Sequence, residues 1–407
     1  MTYGIEKIRV YPTALQLDLE ELANARGYDV AHMKKELMVQ QRGVNPSWED
    51  PVTMAVNAAK PMLTKEDIDS IGLLILATET GLDHEKSLSS WVFHYLGLPS
   101  NCRHFEIKIA CYSGTAALKM AVGWLSSGMI KKGQKALVIT TDESLNSLMK
   151  PWEYICGGGA VAMLVSDKPE FLELELEKSG IYAHEVADVI RPLPWLETGN
   201  SEHSLFSYME ALAAAYDDFV LNVGEIDFKT YFKYNIYHVP FSGISFRAHK
   251  LLMRMNSDAT DAEVAENYSQ KVLPSIAYAR KIGATYGGSI FLALLGLIDT
   301  VEAKANDRIG VFSYGSGSCA EFYTVLVTDK SKEIAKKSGL KELLANRYTI
   351  SVAQYEKMEQ DREERIKESD FTPDFSGVAG LFEKAYKGKG LLIFTGSKGY
   401  YRTYEFS

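Results

Sequence analysis

Three short runs along the chain, 71 to 77 (IGLLILA), 136 to 140 (ALVIT) and 159 to 166 (GAVAMLVS), are apolar without alternation. Unbroken runs of that length are what strands covered on both faces look like. Helical stretches are read at 84 to 97, 114 to 130, 261 to 280 and 288 to 300, so the pattern predicts a layered α/β fold. The run GGGAVAMLV at 157 to 165 has a weak counterpart in GSGSCAEFYTVLV at 315 to 327. Each is a glycine turn leading into a strand, which points to two related halves, placed at 1–167 and 168–407. A charged stretch at 355 to 370 (YEKMEQDREERIKESD) reads as a solvated helix.

One junction in this pattern carries chemistry. Phe105, Ile107 and Ile109 alternate with Glu106 and Lys108, the period of a strand, and the chain then turns at A-C-Y-S-G into the helical run from 114. Cys111 therefore stands at a helix N-terminus. The apolar residues of that helix, among them Leu118, Met120, Val122 and Trp124, face too many directions for a surface helix, which predicts burial. A thiol at its start meets unpaired N–H groups and the positive end of the helix dipole, both favouring the thiolate. A single cysteine there can equally serve as a small buried apolar residue.

Composition narrows the classes. The chain has 407 residues, 46% hydrophobic and 24% charged, enough to bury a large core. With 44 basic and 53 acidic residues, a net charge of -9 and no Lys/Arg run, a nucleic-acid partner is not expected. Cys102, Cys111, Cys156 and Cys319 have neither C-x-x-C nor metal-ligand spacing, so no disulfide scaffold and no metal is expected, and a reduced, cytoplasmic setting fits best. The opening MTYGIEKIRVYP lacks a signal peptide's apolar stretch, and the run at 290 to 298 is too short to span a bilayer, so no membrane partner is expected.

The segment E-I-K-I-A-C-Y-S-G-T-A-A-L-K-M-A at 106 to 121 resembles the nucleophile segment of 3-hydroxy-3-methylglutaryl-CoA synthases. A-T-E-T-G at 77 to 81, C-G-G-G-A-V-A-M-L-V at 156 to 165, Y-H-V-P-F at 237 to 241, G-G-S-I-F-L-A-L-L at 287 to 295 and F-S-Y-G-S-G-S at 312 to 318 occur in that family's order. The resemblance implies a five-layer αβαβα thiolase fold, a homodimer, and a C–C bond-forming acyltransferase with Cys111 as the acylated nucleophile. It also implies Glu79 as general acid/base and His238 as the group that orients the acceptor ketone. Glu79 lies just past the end of an apolar strand, where α/β sheets place ligand-handling residues, and partial burial would raise its pKa toward that task. Taken alone, Glu79 could be a turn carboxylate and His238 a hydrogen-bonded structural residue. Gly315, Ser316 and Gly317 resemble the loop whose backbone approaches the thioester, where a bare N–H could stabilise an oxyanion; a tight turn is the plainer reading. The implied chemistry is acetyl transfer to Cys111, attack of the deprotonated acetyl on a β-ketone, and hydrolysis, with no metal and no tightly bound cofactor.

The branch of the family is read from the residues just after His-x-Pro-Phe. Mevalonate-route enzymes usually carry a lysine there that helps hold the CoA phosphates, whereas this chain has Ser242 and Gly243, then I-S-F-R-A-H-K. That segment, with D-V-I-R-P-L-P at 188 to 194 and S-L-F-S-Y at 204 to 208, resembles the synthase-like enzymes of polyketide β-branching cassettes. The implied partners are a donor acyl carrier protein and the acceptor carrier domain of a polyketide synthase, and the acyl carrier is their phosphopantetheine, or CoA. Arg247 and Lys250 are candidate contacts for an acidic carrier protein, or members of a solvated face. Ala284 falls where the family often has asparagine, which removes an amide from the acceptor side. The alternatives are a mevalonate-type synthase using acetyl-CoA and acetoacetyl-CoA, a ketosynthase III-like decarboxylative enzyme, and a non-catalytic scaffold that binds carrier proteins.

Overall fold

The computed structural model describes residues 2–145, 147–376 and 380–407. Its main sheet contains β1 (Gly4–Tyr11), β2 (Ile71–Ala77), β3 (Arg103–Ile107), β4 (Lys135–Glu143), β5 (Gly158–Ser166), β6 (Leu172–Ala183), β7 (Tyr234–Tyr237), β8 (Arg308–Gly315) and β9 (Cys319–Val327). The nine strands run in the order β7-β8-β9-β6-β1-β5-β4-β2-β3. Two half-sheets meet at the β1/β6 seam, which holds only the pairs Gly4↔Glu173 and Ile5↔Leu172. Pairing repeats across the seam: β2 lies parallel to β4, which is antiparallel to β5, as β7 lies parallel to β8, which is antiparallel to β9. The glycine-led strands at 158 and 319 thus take equivalent places, β5 and β9.

The apolar runs lack alternation because both faces are covered. In β2, Leu73, Ile75 and Ala77 join one core while Leu74 and Leu76 join another, and in β4 Ala136 and Val138 divide from Leu137 and Ile139 in the same way. The second core is closed by helix α1 (Pro51–Ala59), which packs on β5, β4 and β1. Between the half-sheets lie α2 (Ser113–Ser127) and, later in the chain, Ser289–Thr300, while α3 (Ser201–Val223) covers β6 and β9 on the far side. The layering is therefore αβαβα. Numbering on, α4 is Ile244–Asn256, α5 is Ser289–Thr300 and α6 is Val352–Lys367. Helices α2 and α5 start against each other through glycine: a Cβ on Gly114 would lie 2.3 Å from Gly287 O, a separation no side chain permits.

Several sequence expectations change at their ends. Residues 84 to 88 bend instead of starting a helix, which spans Ser89–Leu96; Asp83 Oδ1 accepts from the amides of Glu85 and Lys86 and caps the bend. The stretch 261 to 280 breaks after Asp261–Lys271, where Pro274 begins a tighter turn. Helix α2 is not buried all round: Ser113 to Val122 is buried on one side, while Met120 and Gly123 are exposed. The charged helix α6 forms, but it is not simply solvated. Arg362 and Arg365 are buried and both pair with Glu143 at the end of β4, so this segment ties the C-terminal part of the chain to the first half. Leu15–Asp18 joins the same two parts by pairing with Tyr348–Ile350. Among the described residues no helix is long and apolar enough to cross a membrane.

Candidate active site

At the C-terminal end of β2 the chain leaves the sheet through Thr78, Glu79 and Thr80. All three are organised by one carboxylate, Asp142 at the end of the neighbouring β4. Asp142 Oδ1 accepts from Thr78 Oγ1 (2.9 Å), the Glu79 amide (2.9 Å), the Thr80 amide (3.2 Å) and Thr80 Oγ1 (2.9 Å). The parallel pairing of β2 with β4 brings these two strand ends together. The Glu79 side chain is thereby presented to a cavity of about 750 Å³, a size suited to an extended small-molecule chain.

Cys111 reaches the same cavity from the turn between β3 and α2. Ala110 there has φ of 41°, the left-handed region that a non-glycine residue enters only when its surroundings demand it. The turn aims Cys111 Sγ at Glu79, and the thiol donates to Oε2 at 3.4 Å. The thiolate expected from the helix start is not what these surroundings favour. The amides of Tyr112 and Ser113 bond back to Ile109 O and Ala110 O, so they are not free for the sulfur. Burial first, then the charges of Glu79 and Asp142, push the thiol well above its ordinary range. Glu79 is itself held above the usual carboxylate range, by burial and then by Asp142, with Arg191 acting the other way. The resting pair is a protonated thiol beside a carboxyl group that exchanges a proton easily.

His238 follows β7 and lines the cavity from the other half of the molecule. Its amide donates to Phe312 O, its carbonyl accepts from Tyr208 OH at 2.8 Å, and its Nδ1 lies 2.7 Å from Ser289 Oγ at the start of α5. Nε2 is the ring nitrogen left for the cavity. Burial brings the imidazole down to about 3, so the ring is neutral at ordinary pH.

The glycine loop divides. Gly315 lies against the Cys111 turn, where a Cβ would sit 2.7 Å from both Ile109 O and Tyr112 N. Ser316 lines the cavity. Gly317 instead gives its carbonyl to the Val186 amide and faces open space. Ala284 is in the cavity wall, with its amide bonded to Ile155 O. Arg247 and Lys250 stand on α4 outside the cavity lining, paired with Glu36 at 3.7 Å and Asp261 at 2.8 Å. Among the described residues no cluster of three His, Cys, Asp or Glu side chains could hold a metal.

Two models for hydroxymethylglutaryl-coenzyme A synthase, for its N-terminal and C-terminal parts, match residues 1–170 and 253–391. The chain belongs to the hydroxymethylglutaryl-CoA synthase family. Within that family it is 38% identical to the polyketide biosynthesis 3-hydroxy-3-methylglutaryl-ACP synthase PksG of Bacillus subtilis, over 87% of each chain. It is 34% identical to the hydroxymethylglutaryl-CoA synthase of Enterococcus faecalis, over 88% of this chain and 91% of that one. The curacin biosynthetic pathway HMG synthase superposes with a TM-score of 0.95 at 38% identity, covering 100% of both chains. Its complex with acetyl donor-ACP does so at 0.94 and 37%, again over 100% of both. These synthases have the thiolase fold, and so does this one.

Four side chains of this family member escaped the sequence pattern. Asp142 comes two residues after the apolar run at 136 to 140, the offset at which Glu79 follows the run at 71 to 77, although Asp142 still belongs to β4. Ser289 lies inside the G-G-S-I segment. Arg191 and Glu197 sit on a hairpin, Val189–Leu193 with Leu196–Gly199, that forms part of the cavity wall. D-V-I-R-P-L-P marks this hairpin as a segment, without showing which of its residues enters the cavity.

Proposed function

We propose that this chain is a condensing enzyme of polyketide β-branching that moves an acetyl group from a donor acyl carrier protein to Cys111 and adds it to the β-ketone of a carrier-bound intermediate. The observation that carries the reading is the Cys111 thiol bonded to Glu79 in one cavity with a neutral His238. The two carrier-protein relatives, at 38% identity, support this branch over the CoA-using one, for which the Enterococcus enzyme stands at 34%. The donor is proposed by analogy with the curacin enzyme's acetyl donor-ACP complex.

Cys111 Sγ attacks the acetyl thioester as its proton passes to Glu79 Oε2, and Glu79 hands that proton to the departing pantetheine sulfur and is left as the carboxylate. Glu79 then removes a proton from the acetyl methyl. The resulting enolate attacks the carbon of the acceptor ketone, whose oxygen is held by Nε2–H of His238 while Ser289 donates to Nδ1, and that oxygen becomes the hydroxyl by taking the proton Glu79 removed. A neutral imidazole carries one N–H, and with Nδ1 accepting from Ser289 that N–H stands on Nε2. Gly315 and Ser316 supply backbone beside the thioester, with Gly317 completing the turn. Water finally cuts the thioester, leaving a carboxymethyl branch and a β-hydroxyl. No tightly bound cofactor enters; the phosphopantetheine arm carries the acyl groups.

A homodimer, a cytoplasmic setting and a division into halves at 167/168 belong to the same proposal. The open edge of β3 at the end of the sheet favours the dimer, because an unpaired edge is a template for a second strand. Arg247 and Lys250 are proposed as outer contacts for the acidic carrier protein, since α4 begins with the cavity-lining Ile244. The test is to offer acetyl carrier protein and acetyl-CoA separately and follow the mass of the Cys111 peptide. Acetylation chiefly from the carrier protein, abolished in Cys111→Ser, supports the reading. Efficient acetylation from acetyl-CoA with release of free hydroxymethylglutaryl-CoA assigns the mevalonate reaction, and no adduct from either donor leaves a non-catalytic scaffold.

A further inference from the structure

The hairpin over the cavity carries one guanidinium into its wall. Arg191 is 13% exposed, and its Nη2 pairs with Glu197 Oε2 on the facing strand. Its Nη1 is buried with no hydrogen-bond partner. A buried charged donor left without an acceptor is costly, so the site favours a ligand that supplies one. Its positive charge favours the ionised forms of Glu79 and, beside it, Asp142. Arg191 is the only arginine among the described residues lining this cavity, and Ala284 in the same cavity brings no side-chain donor.

The chemistry of the last step gives that donor an occupant. Acetyl-Cys111 and the condensed acyl-Cys111 are both uncharged thioesters. In hydrolysis water adds to the thioester carbonyl, the carbon–sulfur bond breaks and the sulfur regains a proton. The acid so formed gives up one proton and becomes a carboxylate. A lasting negative charge then appears beside Glu79 and Asp142, which repel it, and a guanidinium N–H is the group best matched to hold it. Glu197 keeps Arg191 in place and balances its charge, so the empty site does not capture Glu79 as a permanent partner. We propose that Arg191 receives the product carboxylate through its free Nη1 as the condensed acyl group is cut from Cys111, and so serves the hydrolytic half of the cycle. This rests on the condensing activity proposed for the same site.

The experiment supplies acetyl carrier protein and a β-ketoacyl carrier protein to the wild type, Arg191→Met and Arg191→Lys, quenches at intervals and weighs the Cys111 peptide. Both variants should still acetylate Cys111, slowed by less than the hydrolytic step, since loss of the guanidinium in Arg191→Met also raises the proton affinity of Glu79. In Arg191→Met the condensed adduct should persist on the cysteine, its hydrolysis slowed by about 10-fold to 100-fold, with Arg191→Lys between the two. Hydrolysis at the wild-type rate in Arg191→Met, or acetylation lost as heavily as hydrolysis, overturns the assignment of Arg191 alone. A wild type that forms no Cys111 adduct overturns the condensing function and this inference with it.

Discussion

Replacing Asp142 with asparagine separates a hydrogen-bond hub from its charge. Four donors converge on Asp142 Oδ1, while Oδ2 is buried without a partner. Asparagine keeps a carbonyl oxygen for all four, so the loop that presents Glu79 keeps its shape. The new amide finds no acceptor at the Oδ2 position, which lowers stability by about 1–3 kcal/mol. What is lost is a negative charge that raises both Glu79 and Cys111. A like charge at this range is worth about 1–2 pK units, each unit about 1.4 kcal/mol. Both groups should therefore fall by that amount. A lower thiol pKa means more thiolate at a fixed pH, and the thiolate is the species that alkylates. At about pH 8 to 9, above the range to which burial lifts Asp142 itself, Asp142→Asn should react with iodoacetamide at Cys111 about 10-fold faster for each unit lost, and its pH–rate midpoint should move down. Cys102 and Cys156, both pushed to about 11 by burial, do not mask the signal. Unchanged or slower alkylation, in a variant whose circular dichroism matches the wild type, would refute the idea that the Asp142 charge adds to burial in raising the proton affinity of this pair.

Ser289→Ala removes the partner of His238 Nδ1 and should lower turnover about 10-fold to 100-fold through a misaligned ring, while Cys111 acetylation, measured by peptide mass, stays near normal. Because burial brings His238 to about 3, its ring resonances should not titrate between about pH 5 and 8 by NMR; a His238 resonance titrating near 6.5 would contradict this. Gly315→Ala puts a methyl group against Ile109 O and Tyr112 N, and should cost about 1–3 kcal/mol in urea unfolding and slow acetylation with it. Arg365→Met strips one cation from Glu143, whose side chain is 1% exposed against 0% for Arg365, and should lose about 3–5 kcal/mol in the same assay.

Elements buried on both faces could be read from the chain alone. The runs at 71, 136 and 159 are strands because no polar residue interrupts them, and Cys111 falls at a strand-to-helix turn because the period changes from two to helical there. Glu79, Cys111 and His238 were legible through the segments that resemble the family, and the structure brings all three to one cavity. What could not be read were properties that arise only when separate segments meet. The proton affinity of Cys111 illustrates this: helix position alone favours the thiolate, whereas burial, and then the charges of Glu79 and Asp142 from two other strand ends, reverse the balance. The charged helix at 352 looked solvated because its sequence does not reveal that Glu143, more than two hundred residues earlier, waits to pair with Arg362 and Arg365. Arg191 is the same case, an ordinary surface-type residue until the hairpin folds into the cavity wall. Local pattern determines periodicity and turns, because these depend on neighbours a few residues apart. Burial, charge balance and the direction in which a side chain faces are sums over distant segments, and only the tertiary structure performs that sum.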